Sequence, residues 1–192
     1  MPFSGRSLGE ASRVFVEHLN QVLHTTVTQM PLSLEISRNV ANIRFRRGSD
    51  AATVRLQTQY GPMALYVGYL CNTVVDASGV HALRIASYRY ALLPDGHTES
   101  LLRWEYIRTP AEDAEYCRNH FQGPISLGIR NRSGIDANLQ HWHLPTGWVP
   151  LEEVIRFCIV DLGVTPLSEA WSQILRESHE RFRYEFSGPG EA

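Results

Sequence analysis

The hydrophobic period changes twice along this chain, and that change constrains the fold more than any motif. Leu8, Ala11, Phe15, Leu19, Val22 and Leu23 recur at three- and four-residue spacing, the mark of a helix with one buried face. From about Leu32 to Arg108 apolar and polar residues alternate instead, as in strands with one face on a core. Leu151, Val154, Ile155, Cys158, Ile159 and Leu162 then return to helical spacing. The expected fold class is α+β. It has a single antiparallel sheet of about five or six strands, with an N-terminal helix and two C-terminal helices packed on one face.

Local signals refine this outline. Ser7-Leu8-Gly9-Glu10 fits a capping box that starts the first helix. The run Thr25 to Thr28 weakens that helix, and Pro31 lies beyond its end. Asn42 to Arg46 and Thr53 to Gln57 alternate on either side of Gly48-Ser49-Asp50, which predicts a hairpin. Met63 to Val75 is a longer apolar run, expected as a central strand buried on both faces. Asp76 to Gly79 turns the chain, and His81 to Leu92 runs out to the turn Pro94-Asp95-Gly96. Ser100 to Arg108 returns from it.

The stretch 109–140 is the least regular, with a short helix expected over Pro110 to Asn119 because Thr109-Pro110 is a helix start. Pro150 opens one C-terminal helix, which Gly163 ends, and Thr165-Pro166 opens another. Residues 1–186 are expected to form one domain, with 187–192 a disordered tail. Phe15, Leu19, Trp142, Ile155, Ile159, Trp171 and Ile174 are the expected core.

Composition narrows the function classes. No apolar run in the 192 residues approaches the roughly 20 needed to cross a bilayer, and no signal-peptide stretch follows Met1. Three widely spaced cysteines, Cys71, Cys117 and Cys158, fit a cytoplasmic protein with reduced thiols. All 18 basic side chains are arginines. The absence of lysine excludes Schiff-base chemistry and a P-loop. Arginine suits phosphate and carboxylate partners, although codon bias is the simpler reason for its use.

Chemistry concentrates in the second half. His141 and His143 flank Trp142, and on an extended chain two residues one apart point to the same side. Two imidazoles held together can share a metal, a phosphate or a proton transfer. Partly exposed strand histidines are the plainer reading. Cys117 and His120 lie upstream, and with His141 and His143 they supply four zinc-type donors, at a spacing that matches no standard finger. A buried free Cys117 and a surface His120 are favoured over that site, so neither a metal nor a cofactor is expected. Tyr88, Arg89 and Tyr90 on one strand, and Arg103 and Glu105 on the next, are expected to form a Tyr/Arg/Glu surface beside the Pro94-Asp95-Gly96 turn. A solvated sheet face with charge pairs is its plain alternative. Cys158 reads as core.

In its order of elements the C-terminal half resembles the TumE-type toxins of bacterial toxin–antitoxin systems. The shared outline is Tyr88-Arg89-Tyr90, Pro94-Asp95-Gly96, Arg103-Trp104-Glu105, His141-Trp142-His143 and the helix from Pro150, over about residues 81–163. The chain departs from that family in its long N-terminal half, in Glu105-Tyr106 where those toxins usually carry Asp-Asn, and in the insert after Arg108. The resemblance implies a cytoplasmic RNA-directed toxin neutralised by an antitoxin or other protein partner.

Three hypotheses follow. In the first, a metal-independent ribonuclease-like protein uses His141 and His143 as acid and base and Arg103 as phosphate clamp, with Tyr88 and Glu105 in support. The second is a non-enzymatic interaction subunit of a defence or regulatory assembly. The third is a structural zinc protein.

Overall fold

The computed structural model describes residues 3–114, 116–124, 126–130, 136–138 and 143–186. A short strand, β1 (Ser4–Gly5), leads into helix α1 (Leu8–Thr26). Ser7 accepts from the Glu10 amide at 3.2 Å, as the capping box requires. The Glu10 carboxylate reaches back one residue further than expected, to the Arg6 amide at 2.8 Å. Burial selects the stripe read from the sequence: Ala11, Phe15, Leu19, Val22 and Leu23 are all enclosed.

The strands that follow are β2 (Leu32–Ser37), β3 (Val40–Arg47), β4 (Asp50–Ala51), β5 (Val54–Thr58), β6 (Gly61–Val75), β7 (His81–Pro94), β8 (Leu102–Ile107) and β9 (Asn119–Gln122). A ribbon of β10 (Ser126–Arg130) and β11 (Asp136–Asn138) pairs separately. β12 (Leu144–Pro145), α2 (Leu151–Val160) and α3 (Trp171–Phe186) are the last elements among the described residues.

Among the described residues the fold is α+β with three helices and one main antiparallel sheet, but that sheet has ten strands rather than five or six. Its spine runs β12-β9-β8-β7-β6-β3-β2, with β1, β4 and β5 attached at the sides. The excess comes from strands such as β1, β4 and β12, two residues each, too short to show alternation.

The expected hairpin between β3 and β5 is replaced by another pairing. β3 folds back only onto β4, at Arg46–Ala51 and Arg47–Asp50. β5 crosses to β6, where Val54 meets Leu65 and Thr58 meets Gly61. The fifteen-residue β6 is long enough for β3 and β5 to lie end to end along one edge while β7 takes the other. β6 is therefore central, but it is not buried on both faces: Leu70 is 42% exposed.

The helix expected over Pro110 to Asn119 is absent among the described residues there, which form turns leading into β9. α3 begins at Trp171 rather than near Pro166, after Ser168 accepts from the Ala170 amide at 3.2 Å. Of the expected core, Phe15, Leu19 and Ile155 are enclosed, Ile159 and Trp171 pack partly buried against the core, and Ile174 is half-buried. Trp142 and the tail 187–192 lie outside the described residues.

Aromatic rings hold the helices to the sheet. Tyr69, Tyr88 and Tyr106 stand opposite one another across β6, β7 and β8. Tyr88 stacks on Tyr90 at 4.5 Å, and Phe15 of α1 meets Tyr69 edge-on at 5.3 Å. Phe157 of α2 meets Trp104 at 5.9 Å. Between Leu70 and Cys71 of β6 the partners skip from Ser87 to Ile85, leaving Ala86 as the extra residue of a β-bulge.

Candidate functional site

Strand register decides which polar side chains meet. β7 pairs with β8 so that Tyr88 faces Tyr106 and Arg89 faces Glu105. Successive side chains point to opposite faces. Tyr88 is therefore on the helix side, buried against Trp148 at 5.0 Å, and its hydroxyl accepts from the Val149 amide at 2.9 Å. Burial raises its phenol above the ordinary range. Arg103 and Glu105 stand on the other face. The expected Tyr/Arg/Glu surface is thus corrected: Arg89, not Tyr88, is the β7 residue beside Glu105.

That outer face carries one continuous row across five strands: Arg44, Gly68, Arg89, Glu105 and His120. Glu105 is its hub. Arg103 Nε lies 2.8 Å from Glu105 Oε2, Arg89 Nε lies 3.6 Å from Oε1, and His120 Nε2 lies 3.2 Å from Oε2. His120, expected at the surface, is buried because it stands between β8 and β12, with the Tyr116 ring against it at 5.4 Å. Its Nδ1 faces the Cys117 carbonyl oxygen at 3.0 Å. A carbonyl oxygen only accepts, so Nδ1 carries a hydrogen. Nε2 faces the Glu105 carboxylate.

His143 joins this group just before β12, its ring 4.8 Å from that of His120 and 5.4 Å from Tyr116. His141 lies outside the described residues, and so does the expected pairing of the two imidazoles. Of the residues singled out from the sequence, Arg103, Glu105 and His143 come together through His120, and Tyr88 does not. Arg89 and His120 are the members the sequence reading left in other roles. The signal for His120 is its place opposite Glu105, which only the β8–β9 register reveals.

Two clefts flank the hub. One of about 290 Å³ is lined by Arg89, Arg103, Gln122, Gly123 and the loop around Ser100. The other, about 340 Å³, runs along Asn42, Arg44, Tyr66, Gly68, Ser87 and Arg89. Two guanidiniums, those of Arg89 and Arg103, line the cleft of about 290 Å³, where they can meet an anion.

The Cys117 thiol donates to the Asn119 carbonyl at 2.9 Å, and Cys117 is partly exposed rather than buried. Among the described residues no group of three or more His, Cys, Asp and Glu side chains is arranged to hold a metal ion. Cys158 is enclosed, and burial pushes its thiol up to about 12, which makes it core rather than nucleophile. No helix among the described residues is long and apolar enough to cross a membrane. Comparison with protein-family models, with curated proteins and with solved structures finds no match to this chain.

Proposed function

We propose that the protein binds and cleaves RNA without a metal, as a toxin-like component of a bacterial toxin–antitoxin or defence system with a protein antitoxin as partner. The observation that carries this reading is the Glu105–His120 pair, in contact at 3.2 Å and flanked by Arg89 and Arg103 between two open clefts. Phosphodiester cleavage by a ribose 2′-hydroxyl needs a base for that hydroxyl, an acid for the departing 5′-oxygen, and cations for the charge on phosphorus. In this scheme His143 takes the 2′-hydroxyl proton as the new oxygen–phosphorus bond forms. The Glu105–His120 pair gives a proton to the 5′-oxygen as the old bond breaks. The products are a 2′,3′-cyclic phosphate and a 5′-hydroxyl. Arg89 and Arg103 hold the phosphate oxygens. His120 fills the role of second proton carrier that the sequence assigned to His141. The TumE-like order of elements supports the toxin class and a cytoplasmic setting.

A purified protein incubated with labelled RNA in the presence of a chelator tests this directly. Wild type cleaves, His120→Ala and Glu105→Gln do not, and only the wild type is toxic on expression. Cleavage that survives both substitutions, or that is absent from the wild type, refutes the reading.

One observation favours a non-enzymatic interaction subunit instead. Leu70, which lines the second cleft, and Val40 and Val74 are exposed apolar side chains on the same outer face. On that reading a co-expressed protein partner is retained by the wild type and lost from Leu70→Asp, while RNA is left intact.

A further inference from the structure

The outer-face row continues past the hub to a guanidinium that no group among the described residues answers. Arg44 points into the cleft of about 340 Å³. Its Nε is sealed from solvent and has no hydrogen-bond partner among the described residues. The acids nearest in the ladder are engaged elsewhere: Glu35 pairs with Arg46, and Glu105 pairs with Arg103, Arg89 and His120. A guanidinium partly withdrawn from water with no counter-charge is costly unless an anion completes it.

The floor between Arg44 and Arg89 is also specialised. Gly68 separates them in the row, and a side-chain carbon there would stand 2.7 Å from the Tyr66 hydroxyl and 3.0 Å from its ring. Glycine inside a strand marks a close approach, and here it lets the Tyr66 ring lean over the sheet. The Arg89 guanidinium carbon lies 5.9 Å from that ring's centre. An aromatic ring between two arginines on an open sheet face has the chemistry of a single-strand binding surface: stacking for a base, cations for the phosphates on either side.

We infer that Arg44, Tyr66 and Gly68 form a second subsite, which takes one phosphate and one base of a single-stranded nucleic acid whose reacting phosphate sits at Arg89 and Arg103. Two inter-strand spacings separate Arg44 from Arg89, about 10 Å, and three separate it from Glu105, about 14 Å. A few nucleotides of extended strand cover that distance. The strand would run across the β-strands, along the row. This deepens the RNA reading above and rests on it for the position of the reacting phosphate. The subsite itself has no need of the 2′-hydroxyl.

A labelled single-stranded DNA hexamer is the probe, because it lacks the 2′-hydroxyl and binds without being cleaved by this chemistry. Fluorescence anisotropy across a salt series compares wild type, Arg44→Gln, Arg44→Lys, Tyr66→Leu and a charge-matched control, Arg13→Gln on α1. Arg44→Gln is expected to weaken binding about five- to tenfold and to reduce the slope of log affinity against log salt by about 0.7, the loss of one phosphate contact. Arg44→Lys recovers most of the slope. Tyr66→Leu weakens binding about fivefold or more with the slope unchanged, because stacking carries no counterion. Equal affinity and slope in Arg44→Gln and Arg13→Gln overturn the subsite, even if RNA is cleaved. An Arg44 effect on DNA without RNA cleavage by the wild type keeps the subsite and overturns the catalytic reading.

Discussion

Ser178 of α3 donates its hydroxyl proton to the carboxylate of Glu152 on α2, which is fully enclosed. His18 of α1 stands on the other side of the same hydroxyl, with Nε2 2.8 Å away. Arg181 faces His18 Nδ1 at 3.4 Å and can only donate, so Nδ1 accepts and Nε2–H points at Ser178. The chain Arg181–His18–Ser178–Glu152 ties the three helices together.

Those two titratable groups oppose each other as pH changes. Burial, assisted by Arg181, lowers His18 from 6.5 to about 4. Between these values the unfolded chain binds a proton that the folded chain does not, so His18's contribution is present above 6.5 and lost as pH falls towards 4. Burial raises Glu152 above 4.5, with Glu153 adding to the shift and Ser178 and His179 opposing it. Its contribution is fullest below 4.5 and declines as pH rises through the raised value. Denaturant midpoints between about pH 4 and about pH 7 are expected to rise more steeply with pH in Glu152→Gln and to fall in His18→Gln. Three parallel curves would show that neither group is linked to folding.

At the candidate site, His120→Ala is expected to slow RNA cleavage by about 10²–10⁴-fold, the usual size of a lost proton-transfer group. Arg103→Ala is expected to cost about 10²–10³-fold through weaker stabilisation of the phosphorane charge. Single-turnover rates at saturating protein measure both. A change in affinity alone, with the rate intact, would assign Arg103 to binding.

Gly123 lines the cleft beside Arg103, and a side-chain carbon on it would stand 2.4 Å from the Leu101 carbonyl oxygen. Backbone cannot yield as a flexible side chain can. Gly123→Ala should therefore destabilise the fold by about 1–3 kcal/mol, read from urea unfolding. An unchanged midpoint would mean that the loop holding Leu101 shifts freely.

Tyr88→Phe removes the acceptor of the part-buried Val149 amide and should cost about 0.5–1.5 kcal/mol, the net worth of one hydrogen bond. Thermal melting measures it. A Tyr88 that touched substrate would give the opposite result, with rate lost and melting temperature kept.

Long periodic elements were legible from sequence because a whole face of each is buried. α1 with Phe15 and Leu19, and α2 with Val154, Ile155 and Cys158, follow their apolar stripes. What escaped was register. Nothing in Tyr88-Arg89-Tyr90 says whether Tyr88 or Arg89 will face Glu105, since that depends on how the turn after Pro94 aligns β8. The link between His120 and Glu105 escaped for the same reason: it spans β8 and β9, joined by a stretch without a usable period. Trp171 marks another limit. The stripe places it correctly on the packed side of α3, but it is the helix's first residue and stays partly open, whereas Leu175 one turn on is enclosed.

The extra residue at Ala86 acts on β7 as a frameshift acts on a message. Before it, odd-numbered residues such as Leu83 and Ile85 turn inward; after it, even-numbered Tyr88, Tyr90 and Leu92 do. Arg84 and Arg89, five positions apart, would point to opposite faces of an unbroken strand, yet both reach the open side. β7 can therefore absorb many changes of side chain and almost none of length. Loss of one residue between Ile85 and Tyr88 would either send the tyrosines into water and Arg89 into the core, or tear the strand from β6.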